Sequence, residues 1–266
     1  MKPALVGCLG VLAAANVLNN RVARRWAPVT SAVATGALLA LARREGLAWH
    51  ELGFRDARAG AVTGGALAAG VAAVYAAGVA LPGTRALFRD ERALALSRRR
   101  VLEEALVQVP FGTVLLEEAG FRGVLPAVLG RSLPAGTAVA ASAALFGLWH
   151  VLPAMDMARA NPALGRLATG EAPDGASSGS GPAPGASSEP GPADGRRDGR
   201  AETGRLVAGT VVSTALAGLV FHGLRHRAGL LAPALLHLAT NSLGYAAARV
   251  ARRLDQPSRG SARPVR

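Results

Sequence analysis

The sequence predicts an all-α fold, a polytopic membrane bundle of about seven transmembrane helices. Half of the 266 residues are apolar and only 18% are charged, and the mean hydropathy is positive. Such a composition is typical of a membrane protein and unusual for a soluble domain of this length. The apolar residues also occur in long runs with most of the arginines between them, as expected for helices that cross a bilayer.

Seven apolar runs define the predicted helices. A helix rises about 1.5 Å per residue, so about 20 residues cover the hydrocarbon layer of about 30 Å. The third, fourth, fifth and seventh runs meet this length comfortably, whereas the first, second and sixth are marginal. The first run could end at a signal-peptide cleavage site near Asn16, but we expect it to remain because more spans follow. The runs cover residues 3–19, 27–42, 60–81, 101–129, 135–157, 205–222 and 229–250.

The segments between the runs complete the predicted organisation. Trp49-His50-Glu51-Leu52-Gly53-Phe54-Arg55 predicts a short interfacial helix, and the arginine-rich residues 85–100 predict a solvated one. Gly, Ser, Pro and Ala dominate residues 158–204, which predicts a disordered loop. We therefore divide the chain into N-terminal helices with basic loops at 1–99, a core at 100–250 interrupted by that loop, and a basic disordered tail at 251–266.

The charge distribution indicates which partners to expect. The formal net charge is +13, but the basic residues flank apolar runs instead of forming one stripe. This pattern favours contact with membrane lipid headgroups over nucleic acid. More lysine and arginine lies in the short loops on the side of the membrane where the C-terminus lies than in those on the other side. We therefore predict a multi-pass protein of a bacterial cell membrane with a cytoplasmic C-terminus. The one cysteine, Cys8, excludes an intrachain disulfide and a cysteine-based zinc site.

Three motifs place polar groups inside apolar runs, where charged side chains are costly and normally functional. They are Glu117-Glu118-Ala119-Gly120-Phe121-Arg122, Phe146-Gly147-Leu148-Trp149-His150 and His237-Leu238-Ala239-Thr240-Asn241. On a helix, Glu118 and Arg122 lie one turn apart and can pair, which leaves Glu117 to face a cavity. His237 and Asn241 also share one helix face and can point at one carbonyl oxygen.

In this order, EExxxR, FxxxH and HxxxN, the motifs resemble the CPBP family of intramembrane proteases. That family includes the type II CAAX prenyl endopeptidases and bacteriocin-processing or immunity proteins, and the resemblance covers roughly residues 100–250. It implies an intramembrane endopeptidase acting on a peptide or protein substrate at the membrane. It also implies that Glu117 activates water, that His150 helps to hold this water, and that His237 and Asn241 stabilise the oxyanion, with Glu118 and Arg122 in support.

Three alternatives remain open at this level. The motifs could be a buried polar network in a catalytically idle scaffold or immunity protein, or they could bind the substrate of a small transporter. Within the protease interpretation we favour a site without a cofactor. Zinc held by Glu117, His150 and His237 is the alternative, since two imidazoles and a carboxylate can bind zinc and leave a position for water.

Overall fold

The computed structural model describes residues 3–160 and 192–256, and the regular structure within these ranges is helical throughout. Helix α1 covers Pro3–Val17 and continues into a π-helical turn at Leu18–Val22. Helix α2 covers Ala27–Arg44, and helix α3 covers Ala57–Ala80. The predicted all-α membrane bundle is confirmed.

Helix α4, at residues 98–130, carries the first motif and is irregular. Its stretches are Arg98–Glu103, Glu104–Val114, Leu115–Glu117, Glu118–Val124 and Leu125–Gly130, of which the second and fourth are π-helical. Pro110 lies inside the first π-helical stretch and lacks the N–H that a regular helix would need. The second begins at Glu118, directly between the paired glutamates. Short π-helical stretches occur frequently at functional sites.

The remaining helices are α5 (Ala135–Trp149), α6 (Val151–Ala160), α7 (Pro192–Ala228) and α8 (Leu231–Asp255). Helix α3 packs along α8, and α5 packs along α7. Helices α2 and α8 both contact α4. The three motif-bearing helices α4, α5 and α8 are thereby brought together.

The main apolar core joins the N-terminal helices to the motif-bearing ones. Leu12 of α1 and Leu38 of α2 are buried in the same cluster as Leu116 and Phe121 of α4 and Phe146 of α5. Cys8 is also fully buried there. Helix α1 is therefore a packed member of the bundle.

Two glycines allow α3 to approach α8 closely. A Cβ at Gly60 would lie 2.9 Å from the Cβ of Leu231, and one at Gly64 would lie 2.9 Å from the carbonyl oxygen of Ala232. Small residues four apart are a common device for close helix packing in membranes. This contact fixes the first turns of α8, which lead into His237.

Four helices in the described ranges are long and apolar enough to cross a membrane: Pro3–Val22, Ala57–Ala80, Ala135–Ala158 and Thr203–Ala228. The predicted number of seven is therefore not confirmed. The fourth run falls short because α4 contains several charged groups. The seventh falls short because α8 carries polar residues and arginines. The first and sixth runs were predicted to be only marginally long enough to span a membrane. Both belong to helices that are longer than the runs themselves, Pro3–Val22 and Thr203–Ala228.

The connecting segments differ from the predictions. The interfacial helix predicted at residues 49–55 is wrong, because these residues form turns. Tertiary contacts hold them: the N–H of Leu230 donates to the carbonyl of Gly53 at 2.8 Å, and Arg225 donates to the carbonyl of Glu51.

The arginine-rich segment before α4 also differs from a single helix. It forms short helical turns at Pro82–Arg85, Ala86–Phe88 and Glu91–Ala95. Asp255, at the end of α8, accepts from Arg89 at 2.5 Å and from Arg85 at 3.2 Å. The hydrogen bond from Arg89 is the main cause that lowers the pKa of Asp255. The segment is thus attached to the end of α8.

The predicted loop at 158–204 lies largely outside the described residues, as does most of the tail. Helix α6 continues to Ala160, and α7 begins at Pro192, so the described helices extend into both ends of the predicted loop. The assignment of residues 161–191 to a disordered loop stays a prediction, as do the domain boundaries.

Candidate active site

The second glutamate of the first motif, Glu118, lies between an arginine and a histidine. Its Oε1 is 3.4 Å from Nη1 of Arg122 on the same helix and 2.7 Å from Nδ1 of His237 on α8. All three residues are buried, with Arg122 only 1% exposed. The pairing of Glu118 with Arg122 agrees with their spacing in the sequence, and the contact with His237 links the first motif to the third.

The first glutamate, Glu117, makes a different set of contacts. Its Oε1 accepts a hydrogen bond of 2.8 Å from Nε1 of Trp149. Its Oε2 faces two imidazoles, 4.0 Å from Nε2 of His150 and 3.8 Å from Nε2 of His237. Glu117 is therefore the point at which all three motifs meet.

The Nδ1 atoms of both histidines have defined partners. Nδ1 of His150 lies 2.8 Å from the carbonyl oxygen of Phe146, which can only accept, so Nδ1 carries the proton. Nδ1 of His237 donates to the carboxylate of Glu118. Both rings are thereby oriented with Nε2 toward Glu117.

Aromatic rings surround the buried arginine. The guanidinium carbon of Arg122 lies 3.7 Å from the ring centroid of Phe146 and 4.9 Å from that of Phe221. Such cation–π contacts strengthen when the cation is desolvated. Phe146, the first residue of the second motif, thus contacts both Arg122 and the ring of His150.

Asn241 is the one predicted site residue that the structure does not bring into contact with the others. It lies one turn after His237 on α8, as its spacing predicts, but it is exposed. Within the described part of the chain it makes no hydrogen bond to the other site residues. Its predicted role as an oxyanion donor therefore stays a prediction.

One of three comparisons with known proteins gives a match. The family model described as type II CAAX prenyl endopeptidase, Rce1-like, matches residues 104–243, more than half of the chain. The chain belongs to this family. No curated protein and no solved structure gives a significant match.

Membership in the Rce1-like family identifies a membrane-embedded peptide hydrolase. The matched residues 104–243 contain Glu117, Glu118, Arg122, His150, His237 and Asn241. Helices α1 to α3 lie before the matched region, yet α1 and α2 contribute to the core against which the site is built.

Two residues at the site were not predicted from the sequence. Trp149 bonds to Glu117, and Nδ2 of Asn16 on α1 donates to the carbonyl oxygen of Trp149 at 2.9 Å. Trp149 stands beside His150 in the second motif, so a buried indole N–H next to a motif histidine was an available signal. Asn16 gave no such signal because 133 positions separate it from Trp149.

The spacing of the donors bears on the zinc alternative. Ligands of a tetrahedral zinc ion lie about 3.4 Å apart when each bond is about 2.0–2.1 Å. The separations of Nε2 of His150 and His237 from Glu117 Oε2 are wider, at 4.0 and 3.8 Å. Within residues 3–160 and 192–256, no group of three or more His, Cys, Asp or Glu side chains is placed to hold a metal ion. The choice between a metal-free site and a zinc site therefore stays a prediction.

An apolar cavity of about 630 Å³ reaches the site from one side. Leu39 of α2, Phe111 and Leu115 of α4 and Leu231 of α8 line its walls, and Glu118 is also among its lining residues. The turn segment with Arg55 and Asp56 contributes the polar part of the lining. The lining of the cavity therefore includes both this polar segment and the buried carboxylate of Glu118.

Proposed function

We propose that the protein is an intramembrane endopeptidase in which Glu117 activates the water that attacks the substrate peptide bond. The observation that carries this proposal is the position of Glu117 Oε2, buried and 3.8–4.0 Å from Nε2 of both histidines. These separations are too long for direct hydrogen bonds, but one water can bridge them. A water held there contacts the base and the imidazole of His150, and it lies beside His237.

His150 is suited to hold the attacking water. Its Nδ1 proton is engaged by the carbonyl of Phe146, so the neutral ring presents a lone pair at Nε2. The water donates one hydrogen to this lone pair and the other to Glu117 Oε2. Glu117 then takes the proton as the water oxygen bonds to the carbonyl carbon.

His237 is suited to stabilise the oxyanion as an imidazolium. Glu117 and Glu118 carry two negative charges against the one positive charge of Arg122, and a protonated His237 balances the cluster. With Nδ1–H bound to Glu118, the Nε2–H of His237 can donate to the developing oxyanion. Asn241, one turn further along the same face, supplies a second donor once a substrate carbonyl is bound.

The second step returns the proton and completes the hydrolysis. Collapse of the tetrahedral intermediate breaks the carbon–nitrogen bond, and protonated Glu117 gives its proton to the leaving nitrogen. The immediate products are a carboxylic acid and an amine, which exchange a proton to become a carboxylate and an ammonium ion, and the carboxylate of Glu117 is restored. No step requires a cofactor.

The apolar cavity supports a substrate with a membrane-embedded portion. An apolar chain in contact with Leu39, Phe111 and Leu231 would lie beside Glu118 and bring a neighbouring peptide bond toward Glu117. We therefore propose membrane-associated peptides as substrates and test a lipid-modified one first.

The first prediction concerns Glu117→Gln, which preserves the shape and the oxygen that accepts from Trp149 but removes the base. A general base contributes roughly 10²–10⁴-fold to the rate, so we expect a loss of at least about 100-fold. The assay measures cleavage of a farnesylated CAAX peptide, and of the same peptide without the lipid, by protein purified into lipid vesicles. Glu103→Gln is the matched control, since this half-buried acid pairs with Arg100 away from the site.

Other outcomes of the same assay distinguish the alternatives. Activity of Glu117→Gln close to that of the parent protein would contradict the proposed base. Loss of activity on chelation, restored by zinc, would replace the metal-free mechanism with one in which Glu117, His150 and His237 are ligands. A folded parent protein that cleaves neither these peptides nor a peptide library would favour the idle scaffold.

A further inference from the structure

Trp149 donates a hydrogen bond to Glu117, and the proposed mechanism gives this bond no role. Its indole N–H donates to Oε1 of Glu117 at 2.8 Å, and both side chains are buried. Hydrogen bonds to an ionised acceptor are short and strong, particularly where water is excluded. This bond occupies one oxygen of the carboxylate and leaves the other facing His150 and His237.

Trp149 is itself held at two further points, one on its ring and one on its backbone. Its ring packs edge-on against Phe121, with centroids 5.4 Å apart. Its backbone carbonyl accepts from Nδ2 of Asn16 at 2.9 Å. Trp149 is therefore fixed by α4 on one side and by α1 on the other, and its N–H has little freedom to turn away from Glu117.

An alternative partner for Glu117 explains why such restraint matters. Arg122 is buried nearby and interacts electrostatically with both Glu117 and Glu118. A carboxylate without its indole donor is free to rotate about its side-chain torsions toward this guanidinium. Such a rotation would move Oε2 away from the two Nε2 atoms and from the water between them.

We propose that Trp149 is a positioning residue for the base. Its indole N–H holds the carboxylate of Glu117 with Oε2 directed between His150 and His237, and Asn16 of α1 supports it. This inference rests on the proposed role of Glu117. It assigns a site function to a helix that lies outside the matched region 104–243.

A replacement that removes only the N–H tests the proposal. The chain has three tryptophans, so a Trp26→Phe/Trp49→Phe background leaves Trp149 alone. Biosynthetic incorporation of 3-benzothienylalanine then substitutes sulfur for the N–H with little change in shape. The matched control is 7-azatryptophan, which retains the N–H. Cleavage of the peptide that the parent protein hydrolyses best gives kcat and KM, and thermal unfolding in the same vesicles reports on packing.

We expect the benzothienyl protein to lose about 10–100-fold in kcat, by analogy with the loss on removing a group that orients a ligand in a metal site. KM and the unfolding midpoint should stay close to those of the background, and the azatryptophan protein should keep its kcat. A benzothienyl protein with the kcat of the background overturns the proposal, as does one whose only change is a higher KM or a lower unfolding midpoint.

Glu117→Gln in the same background separates this inference from the function on which it rests. If Glu117→Gln is inactive while the benzothienyl protein is fully active, Glu117 remains the base and the positioning role of Trp149 is wrong. If Glu117→Gln is itself active, the proposed base is wrong, and the positioning role is overturned with it.

Discussion

At the scale of single residues, buried charge explains why these side chains meet. Glu117, Glu118 and Arg122 are each at most 4% exposed, and charges so far from water persist only when paired and hydrogen-bonded. Glu118 pairs with Arg122 on its own helix and with His237 across the bundle. Glu117 is bound by Trp149 and faces the two histidines. The polar network therefore orders the site before any substrate binds.

The histidine and asparagine on α8 give the prediction at this scale. Loss of one oxyanion donor typically costs about 10²–10³-fold in turnover, so we expect His237→Ala to fall in that range and Asn241→Ala to lower turnover as well. The double variant should lose less than the combined single effects, because both donors serve one oxygen. Turnover of the purified variants gives the comparison, with exposed His50→Ala as the control.

Equal turnover of Asn241→Ala and the parent protein would contradict the role of Asn241 while leaving that of His237 intact. Strictly additive losses would indicate that the two side chains act on different atoms.

The sequence was sufficient to predict some of these contacts and insufficient for others. The pairing of Glu118 with Arg122 follows from helical spacing alone. The contacts of Glu117 with Trp149, and of Trp149 with Asn16, join helices far apart in the chain, and only the packed bundle defines them. Whether Asn241 faces the substrate depends on a ligand, and neither spacing nor the described contacts determine it.

At the scale of helices, the close approach of α3 to α8 holds the helix that carries His237. Gly64→Leu should force the two helices apart, since even a Cβ there would meet the backbone of Ala232 at 2.9 Å. Overpacking of this kind costs about 1–3 kcal/mol. Thermal unfolding in lipid vesicles should therefore show a lower midpoint, and turnover should fall as His237 moves.

Gly65→Leu provides the matched control. A Cβ at Gly65 meets nothing within 4 Å, so this variant should unfold like the parent protein. Equal midpoints for the two variants would show that α3 and α8 tolerate separation at this point.

Some helices were predicted accurately from the sequence, and others were not. The fifth run, 135–157, corresponds well to α5 and α6 together, because it is a long apolar stretch whose one charged residue, Asp156, lies near its end. The turns at residues 49–55 were predicted as a helix because their composition suits an interface. The bonds from Leu230 and Arg225 that hold these turns come from α7 and the start of α8, and no local pattern reveals them.

At the scale of the whole molecule, the segment between α6 and α7 gives the last prediction. Its composition cannot form a packed core, and a shorter loop costs little in closure entropy. Deletion of residues 165–187 should therefore leave membrane insertion and turnover close to those of the parent protein. The yield in the membrane fraction and the peptide assay measure both, with a scrambled loop of the original length as the control. A deletion variant that no longer accumulates in the membrane would show that the segment takes part in folding.

The overall class was predictable because composition and long apolar runs determine it. The number of spans was not, because the motif residues lower the hydropathy of the helices that carry the site. The same polar groups that indicate a function therefore hide their helices from a hydropathy criterion, and α4 and α8 are the examples.

The ion pair within α4 has a consequence for how the protein is made. Glu118 and Arg122 lie on one helix, so they can neutralise each other as soon as that helix forms, whereas Glu117 finds its donors only on segments synthesised later. Until the later helices have been made, α4 therefore carries one ion pair and one acid without its partners. Trp149 on α5 then supplies a hydrogen bond and His237 on α8 comes to face the carboxylate, so Glu117 has all of its partners only once the last helix of the site has been made.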